Sequence, residues 1–147
     1  MKKHIGRVLS ILHRQSQIYF THALKEFNLT SAEYPFLMYL YKQDGITQDN
    51  LSSYLYIDKA ATARSIKSLE QKGYITRSKD TKDKRCNHVY LTPLAKETSE
   101  DIKKRVFHWS ELLTEGMDIE STDLIYCMLE TMVTKVEQMN FKTETED

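Results

Sequence analysis

The residues with the most chemistry to offer lie between Asp58 and Thr92, which read DKAATARSIKSLEQKGYITRSKDTKDKRCNHVYLT. In the first half, Thr62, Ile66 and Leu69 make a narrow apolar stripe at helical spacing, leaving Lys59, Ala60, Ala61, Arg64, Ser65, Lys67 and Ser68 in the other directions. Small Ala and Ser side chains let a helix approach a DNA groove closely. Ala60 or Ala61 suits a thymine methyl, and Arg64 is long enough for a guanine edge or a phosphate. In the second half, Arg77, Lys79, Lys82, Asp83, Lys84 and Arg85 cluster around a Gly-free turn between two β-rich segments. Arginine at such a tip suits a narrow minor groove, with Asp83 close enough in sequence to orient Arg85. From Lys59 to His88 nine Lys and Arg face three acids, a net +6, whereas Glu97 to Asp147 holds thirteen acids and five bases, a net −8. The formal charge of zero therefore hides a basic middle, the electrostatic footprint of a lobe that binds double-stranded DNA. The bland reading of the same residues is a solvated helix face and a solvated loop.

Other chemistries find no residues to carry them. Cys86 and Cys127 are far apart and make neither a disulfide framework nor a ligand set. They read as structural thiols, with one minority idea: Lys84 and Arg85 beside Cys86 would lower its pKa towards that of a sensor. His4, His13, His22, His88 and His108 form no close pair with each other or with cysteine, so no metal is expected. There is no nucleophile, base and orienter set, no Gly-rich phosphate loop and no coherent face of acids. The chain is read as neither an enzyme nor a holder of a cofactor. No apolar run approaches the ~18 to 20 residues of a membrane span. The basic start, Met1 to Arg7, lacks a continuous apolar core and a cleavage site. The expectation is a soluble, cytoplasmic protein with no membrane partner.

With 147 residues, 4 Gly and 2 Pro, the composition favours one mainly helical domain with a minor β component. A long helix is predicted over 5–27, striped by Ile5, Val8, Leu9, Leu12, Tyr19, Ala23, Leu24 and Phe27 and ended by Asn28 in a left-handed conformation. Thr30 and Glu33 read as a capping box opening a helix that ends near Asp44-Gly45, with Pro35 disturbing its start. Thr47 caps a short helix from Gln48 to Tyr56, stapled by Ile46 and Leu51. After a tight turn at Tyr56-Ile57, Asp58 caps the next helix and Gly73 closes it. Short helix, turn and second helix make a helix-turn-helix, whose second helix enters the major groove. Strands are predicted over 74–78 and 86–92, with Ile75, Val89 and Leu91 packing inward. Thr92-Pro93 opens a helix running to about Gly116. A last helix covers 121–141, striped by Ile125, Met128, Leu129, Met132, Val133, Val136 and Met139. The acidic tail 142–147 follows. Apolar stripes this long at both termini have no partner inside the basic lobe, so a homodimer is expected.

The chain resembles the MarR (multiple antibiotic resistance regulator) family of winged helix-turn-helix regulators over roughly residues 5 to 140. The residues that carry the resemblance are Thr47-Gln48-Asp49-Asn50-Leu51, Lys59 to Arg64, Leu69 to Ile75, and above all Asp83-Lys84-Arg85 followed by Val89-Tyr90-Leu91-Thr92. The resemblance implies a DNA-binding lobe over 30–92 and dimerisation helices over 1–29 and 93–141, with the terminal helices intertwined in an obligate homodimer. It also implies a repressor of a pseudo-palindromic operator, released by a small-molecule or redox signal. Arg85 would be the wing-tip arginine and Asp83 its supporting carboxylate. Ala95 departs from the Gly common there. The peroxide-sensing branch has a reactive Cys in its first helix, which this chain lacks, and a zinc-sensing branch has Glu-His where this chain has Glu33-Tyr34. A small-molecule effector would sit in the cleft between lobe and dimerisation helices, where His13, Tyr19, Tyr34 and Met38 are candidate lining residues. Their spacing equally suits core packing. The competing reading is a winged-helix protein–protein interaction module without sequence-specific DNA binding.

Overall fold

The computed structural model describes residues 2–83 and 86–139. The expectations placed on Lys84, Arg85 and the 142–147 tail lie outside them. The described chain forms helices α1 (Ile5–Ala23), α2 (Tyr34–Lys42), α3 (Gln48–Leu55) and α4 (Lys59–Gln71), the antiparallel pair β1 (Ile75–Lys79) and β2 (Asn87–Leu91), then α5 (Pro93–Glu97), α6 (Ser99–Thr114) and α7 (Ile119–Gln138). It divides into two compact units, residues 1–109 and 110–147. Among the described residues, no helix is long and apolar enough to cross a membrane.

Several boundaries follow the caps read from the sequence. Thr47, Asp58 and Thr92 accept hydrogen bonds from the Asn50, Ala61 and Ala95 amides, each satisfying a donor that the first helical turn leaves free. Gly73 follows α4 with φ +86°, the left-handed conformation that lets the chain turn into β1. Asn28 does the same at φ 58°, after a single 3-10 turn at Lys25–Phe27 that ends the first helical stretch earlier than its apolar stripe suggests.

Three expectations are corrected. Thr30 does not cap α2, which begins at Tyr34. The Thr30 hydroxyl donates to Glu33 Oε1 instead of accepting from its amide. A start at Tyr34 puts Pro35 in the first turn, where its missing N–H removes no helical hydrogen bond. The helix expected from Pro93 to Gly116 is two helices, broken at Thr98, whose hydroxyl bonds back to the Leu94 carbonyl at 2.8 Å. Such back-bonding competes with the helix ladder and bends it. The last helix starts two residues earlier than predicted because Asp118 accepts from the Ser121 amide at 2.7 Å, and it ends at Gln138.

In the first unit, Phe20 and Leu24 of α1, Phe36, Leu37 and Leu40 of α2, Leu51 of α3, Ile66 and Leu69 of α4, Ile75, Val89 and Ile102 form one buried cluster. Tyr19 stacks on Trp109 with ring centroids 5.1 Å apart, and its hydroxyl donates to the Arg105 carbonyl. Arg105 in turn donates to the Ala23 carbonyl and pairs with Glu26. These contacts fasten the end of α1 to α6. In the second unit α7 buries no residue at all.

Candidate nucleic-acid interface

The turn between α3 and α4 is held from several sides. Ser52 donates to the Ile57 carbonyl at 2.5 Å, the Ile57 amide donates to the Ser52 carbonyl, and Tyr56 takes φ 55° at the bend. The aim of α4 is thus set by a pinned turn at its start and by Thr62, Ile66 and Leu69 buried beneath it. Opposite them, Lys59, Ala60, Arg64 and Lys67 are exposed, while Ala61 and Ser65 are half-buried. The exposed positions 60, 64 and 67 recur at helical spacing, forming one cationic ridge. Ser68, expected on this face, is instead turned inward: its hydroxyl donates to Glu33 Oε2 at 2.7 Å. It lies on the side of the helix that meets Glu33, just before α2.

The wing is a hairpin pairing Ile75 with Leu91 through Lys79 with Asn87. Ile75 and Val89 are its buried anchors, and Leu91 is half-buried. It gains a third edge from the loop after α2. The Gly45 amide donates to the Val89 carbonyl and the Val89 amide to the Ile46 carbonyl, while Asp44 accepts from the Leu91 amide. Gly45 has φ +80°, and a Cβ there would meet the Tyr90 ring at 2.9 Å, so this close approach needs glycine. At the far end Asp80 accepts from the Lys82 and Asp83 amides, shaping the turn. Lys79 and Lys82 are exposed. Arg77, expected among the outward cations, is gripped in a two-pronged ion pair by Glu70 of α4 at 2.9 and 3.2 Å. That pair holds the Glu70 carboxyl below its usual value and ties the wing to the helix. Asp83 accepts from the Cys86 thiol at 3.7 Å. Lys84 and Arg85 lie outside the described residues.

His88, which sequence reasoning left unused, braces this wing. Its Nε2 lies 3.0 Å from Asp80 and its Nδ1 2.9 Å from the Gly45 carbonyl. Both ring nitrogens therefore face acceptors, an arrangement that only the doubly protonated imidazolium satisfies. The hydrogen bond to Asp80, then the one to Gly45, raise the His88 pKa. A raised folded pKa means the brace is complete below the ordinary histidine value near ~6.5 and is lost as pH rises through the higher folded value. Across that window, protection of the Lys82 and Asp83 amides, measured as exchange relative to the intrinsic base-catalysed rate, is expected to fall in the wild type and to stay constant in His88→Asn. Parallel profiles would rule the brace out.

The aromatic residues offered for an effector site are mostly packing residues. Tyr19 lies against Trp109, Tyr34 against Phe20 at 4.1 Å, and His13 is exposed on α1. Met38 lines a cavity of about 580 Å³ with Pro35, Tyr39, Tyr41, Lys42, Tyr54, Leu55, Lys103 and Phe107. Tyr39 and Tyr54 pack along it with tilted rings, centroids 4.0 Å apart, and Lys103 sits over the Tyr41 ring at 5.1 Å. The idea of Cys86 as a thiolate sensor fares poorly. Partial burial, then the Asp83, Asp80 and Asp49 carboxylates, push its thiol pKa up, the opposite of activation. Among the described residues, no three His, Cys, Asp or Glu are grouped to hold a metal ion.

Comparison with known proteins agrees with this geometry. A model of the MarR family matches residues 29–87. A MarR transcriptional regulator from Methanosarcina mazei is 40% identical and has the same fold with a TM-score of 0.87, over 94% of this chain and 100% of that one. The HTH-type transcriptional regulator SarZ of Staphylococcus saprophyticus is 30% identical over 107 residues, 70% of this chain and 73% of SarZ. A structure of reduced AbfR bound to DNA shares the fold at 21% identity, with a TM-score of 0.76 over 90% of this chain and 91% of that one.

Proposed function

The chain belongs to the MarR family of helix-turn-helix transcriptional regulators, and from that premise we propose that it is a homodimeric repressor occupying a pseudo-palindromic operator. The observation that carries this reading is the exposed Lys59, Ala60, Arg64 and Lys67 ridge on a capped helix whose other side is core. Each α4 enters a major groove by its N-terminal end, where the helix dipole and Lys59 meet phosphates and Ala60, Ala61 and Arg64 come near base edges. The wing follows the neighbouring backbone through Lys79 and Lys82; the minor-groove role read for Arg85, with Asp83 as its supporting carboxylate, falls on a residue outside the described ones. Arg77 acts through its grip on Glu70, which holds the wing at a set angle to the helix. That AbfR, a protein of this fold, is bound to DNA is in keeping with a DNA-binding role.

A second copy would cover the apolar stripes that stand exposed on α1 and α7 among the described residues. Ile5, Val8, Leu9, Leu12 and Ile18 on α1 are exposed, as are Ile125, Leu129, Met132 and Val136 on α7. The domain scheme that follows is a DNA-binding lobe over 30–92 between dimerisation segments. The signal that releases DNA is a small molecule rather than an oxidant, held in the cavity beside Met38, Tyr39 and Tyr54. At about 580 Å³ it falls within the ~300 to 1,000 Å³ of ligand pockets. The chain works in the cytoplasm, where its operator is.

Selecting genomic fragments on the purified protein tests the reading. Recovered sites are expected to hold two inverted half-sites about 10 to 10.5 base pairs apart, or a multiple of that. Failure to enrich any fragment would remove the repressor function.

A further inference from the structure

Neither groove insertion nor the cavity accounts for Glu33. Its carboxyl is buried, with 2% of the residue exposed, immediately before α2. Oε1 accepts from the Thr30 amide at 3.0 Å, the Thr30 hydroxyl at 2.8 Å and Lys72 Nζ at 2.7 Å, and Oε2 accepts from the Ser68 hydroxyl at 2.7 Å. Two oxygens thus meet four donors, so the charge is buried without being left unpaired. Burial alone would raise the Glu33 pKa, but the bonds from Lys72, Ser68 and Thr30 outweigh it and leave it lowered.

The direction of these bonds matters more than their strength. Ser68 and Lys72 are four residues apart, on one side of the last turn of α4 and its cap. Glu33 therefore grips the far end of the helix whose near end is set by the Asp58 cap and the pinned Tyr56-Ile57 turn. Apolar packing of Ile66 and Leu69 tolerates small rotations, whereas hydrogen bonds to two fixed points do not. A tilt of roughly 5° over a helix ~20 Å long moves its N-terminus by about 1.7 Å, enough to spoil a base-edge hydrogen bond.

We propose that Glu33 is the positioning residue of the recognition helix: by holding Ser68 and Lys72 it fixes the tilt and rotation at which Ala60, Ala61 and Arg64 meet the bases. The proposal rests on the reading of α4 as the helix that enters the groove. Glu33 touches no DNA and adds no charge to the interface, so its effect falls on discrimination between sequences.

The test compares the full-length wild type, Glu33→Gln and Lys72→Gln on the selected operator and on unrelated duplex at the same salt, with thermal unfolding in parallel. Both variants are expected to lose about 10-fold in operator affinity, the scale of one spoiled base contact, while affinity for unrelated DNA falls by much less, so that the ratio drops. Ile102→Val, which trims the same core but removes none of the Glu33 bonds, controls for stability and is expected to keep the ratio. Lys72→Gln keeps the proposal testable if Glu33→Gln does not fold, because a lost phosphate contact would lower both affinities and leave their ratio intact. A folded Glu33→Gln or Lys72→Gln with the wild-type ratio overturns the proposal. If the wild type itself shows no preference, the reading of α4 fails first and this proposal with it.

Discussion

Between 50 and 200 mM salt, affinity for the operator is expected to fall by about 10³- to 10⁵-fold, as roughly six to ten neutralised phosphates exchange their counterions. The formal net charge is zero, and a protein whose charges were evenly mixed would show almost no such slope. The slope is expected because the cations are segregated. Lys59, Arg64, Lys67, Lys79 and Lys82 are all exposed on α4 and the wing, and a dimer presents each of them twice. Arg64→Ala is expected to flatten the slope as well as weaken binding, because each protomer loses a cation. Fluorescence anisotropy on a labelled operator across a salt series measures both. A flat line for the wild type would overturn phosphate contact as the source of affinity.

Placing aspartates at Leu129 and Met132 is expected to convert the dimer to monomers and to weaken operator binding by about 10²- to 10⁴-fold, the avidity lost when two linked half-site contacts become independent. The argument starts from α7, twenty residues with an apolar stripe and no buried residue. Ile125, Leu129, Met132 and Val136 follow one another by three or four residues and are 37% to 43% exposed. A stripe of that length left in water forfeits ~1.5 to 3 kcal/mol for each large side chain that a partner would cover. A carboxylate inside such an interface would have no counter-charge, so association fails before the first unit is disturbed. Light scattering after gel filtration reads the mass. A double variant that remains dimeric would show that α7 is not the dimer seam.

Much of the fold is legible in the residues. The caps at Thr47, Asp58 and Thr92, the left-handed Asn28 and Gly73, and the stripe of Thr62, Ile66 and Leu69 depend on interactions within a few residues, and the structure places each where local rules put it. The boundaries that moved did so for reasons a pattern carries weakly. Pro35 shifts the start of α2, and Thr98 divides a helix whose apolar stripe runs through it unbroken.

The candidate site was legible to a smaller degree. The cationic ridge follows from helical spacing, which lets Lys59, Ala60, Arg64 and Lys67 share a face once Ile66 and Leu69 are buried. Two of the read side chains are held by others: Arg77 by Glu70 and Ser68 by Glu33. Tyr19 and Tyr34 pack on Trp109 and Phe20, and an aromatic stripe reads the same whether it faces a cavity or another helix.

By itself, the sequence determined the helix-turn-helix, the hairpin after it, the segregation of charge and the unpaired apolar stripes, because each is a matter of periodicity or of neighbours within four residues. Only the tertiary structure decided which polar groups are spent on one another. Glu33 meets Ser68 and Lys72 across 35 and 39 residues of chain, and His88 meets Gly45 across 43. Whether a carboxylate or an imidazole finds its donors at that separation depends on where two helices and a loop come to rest, and no local pattern records it.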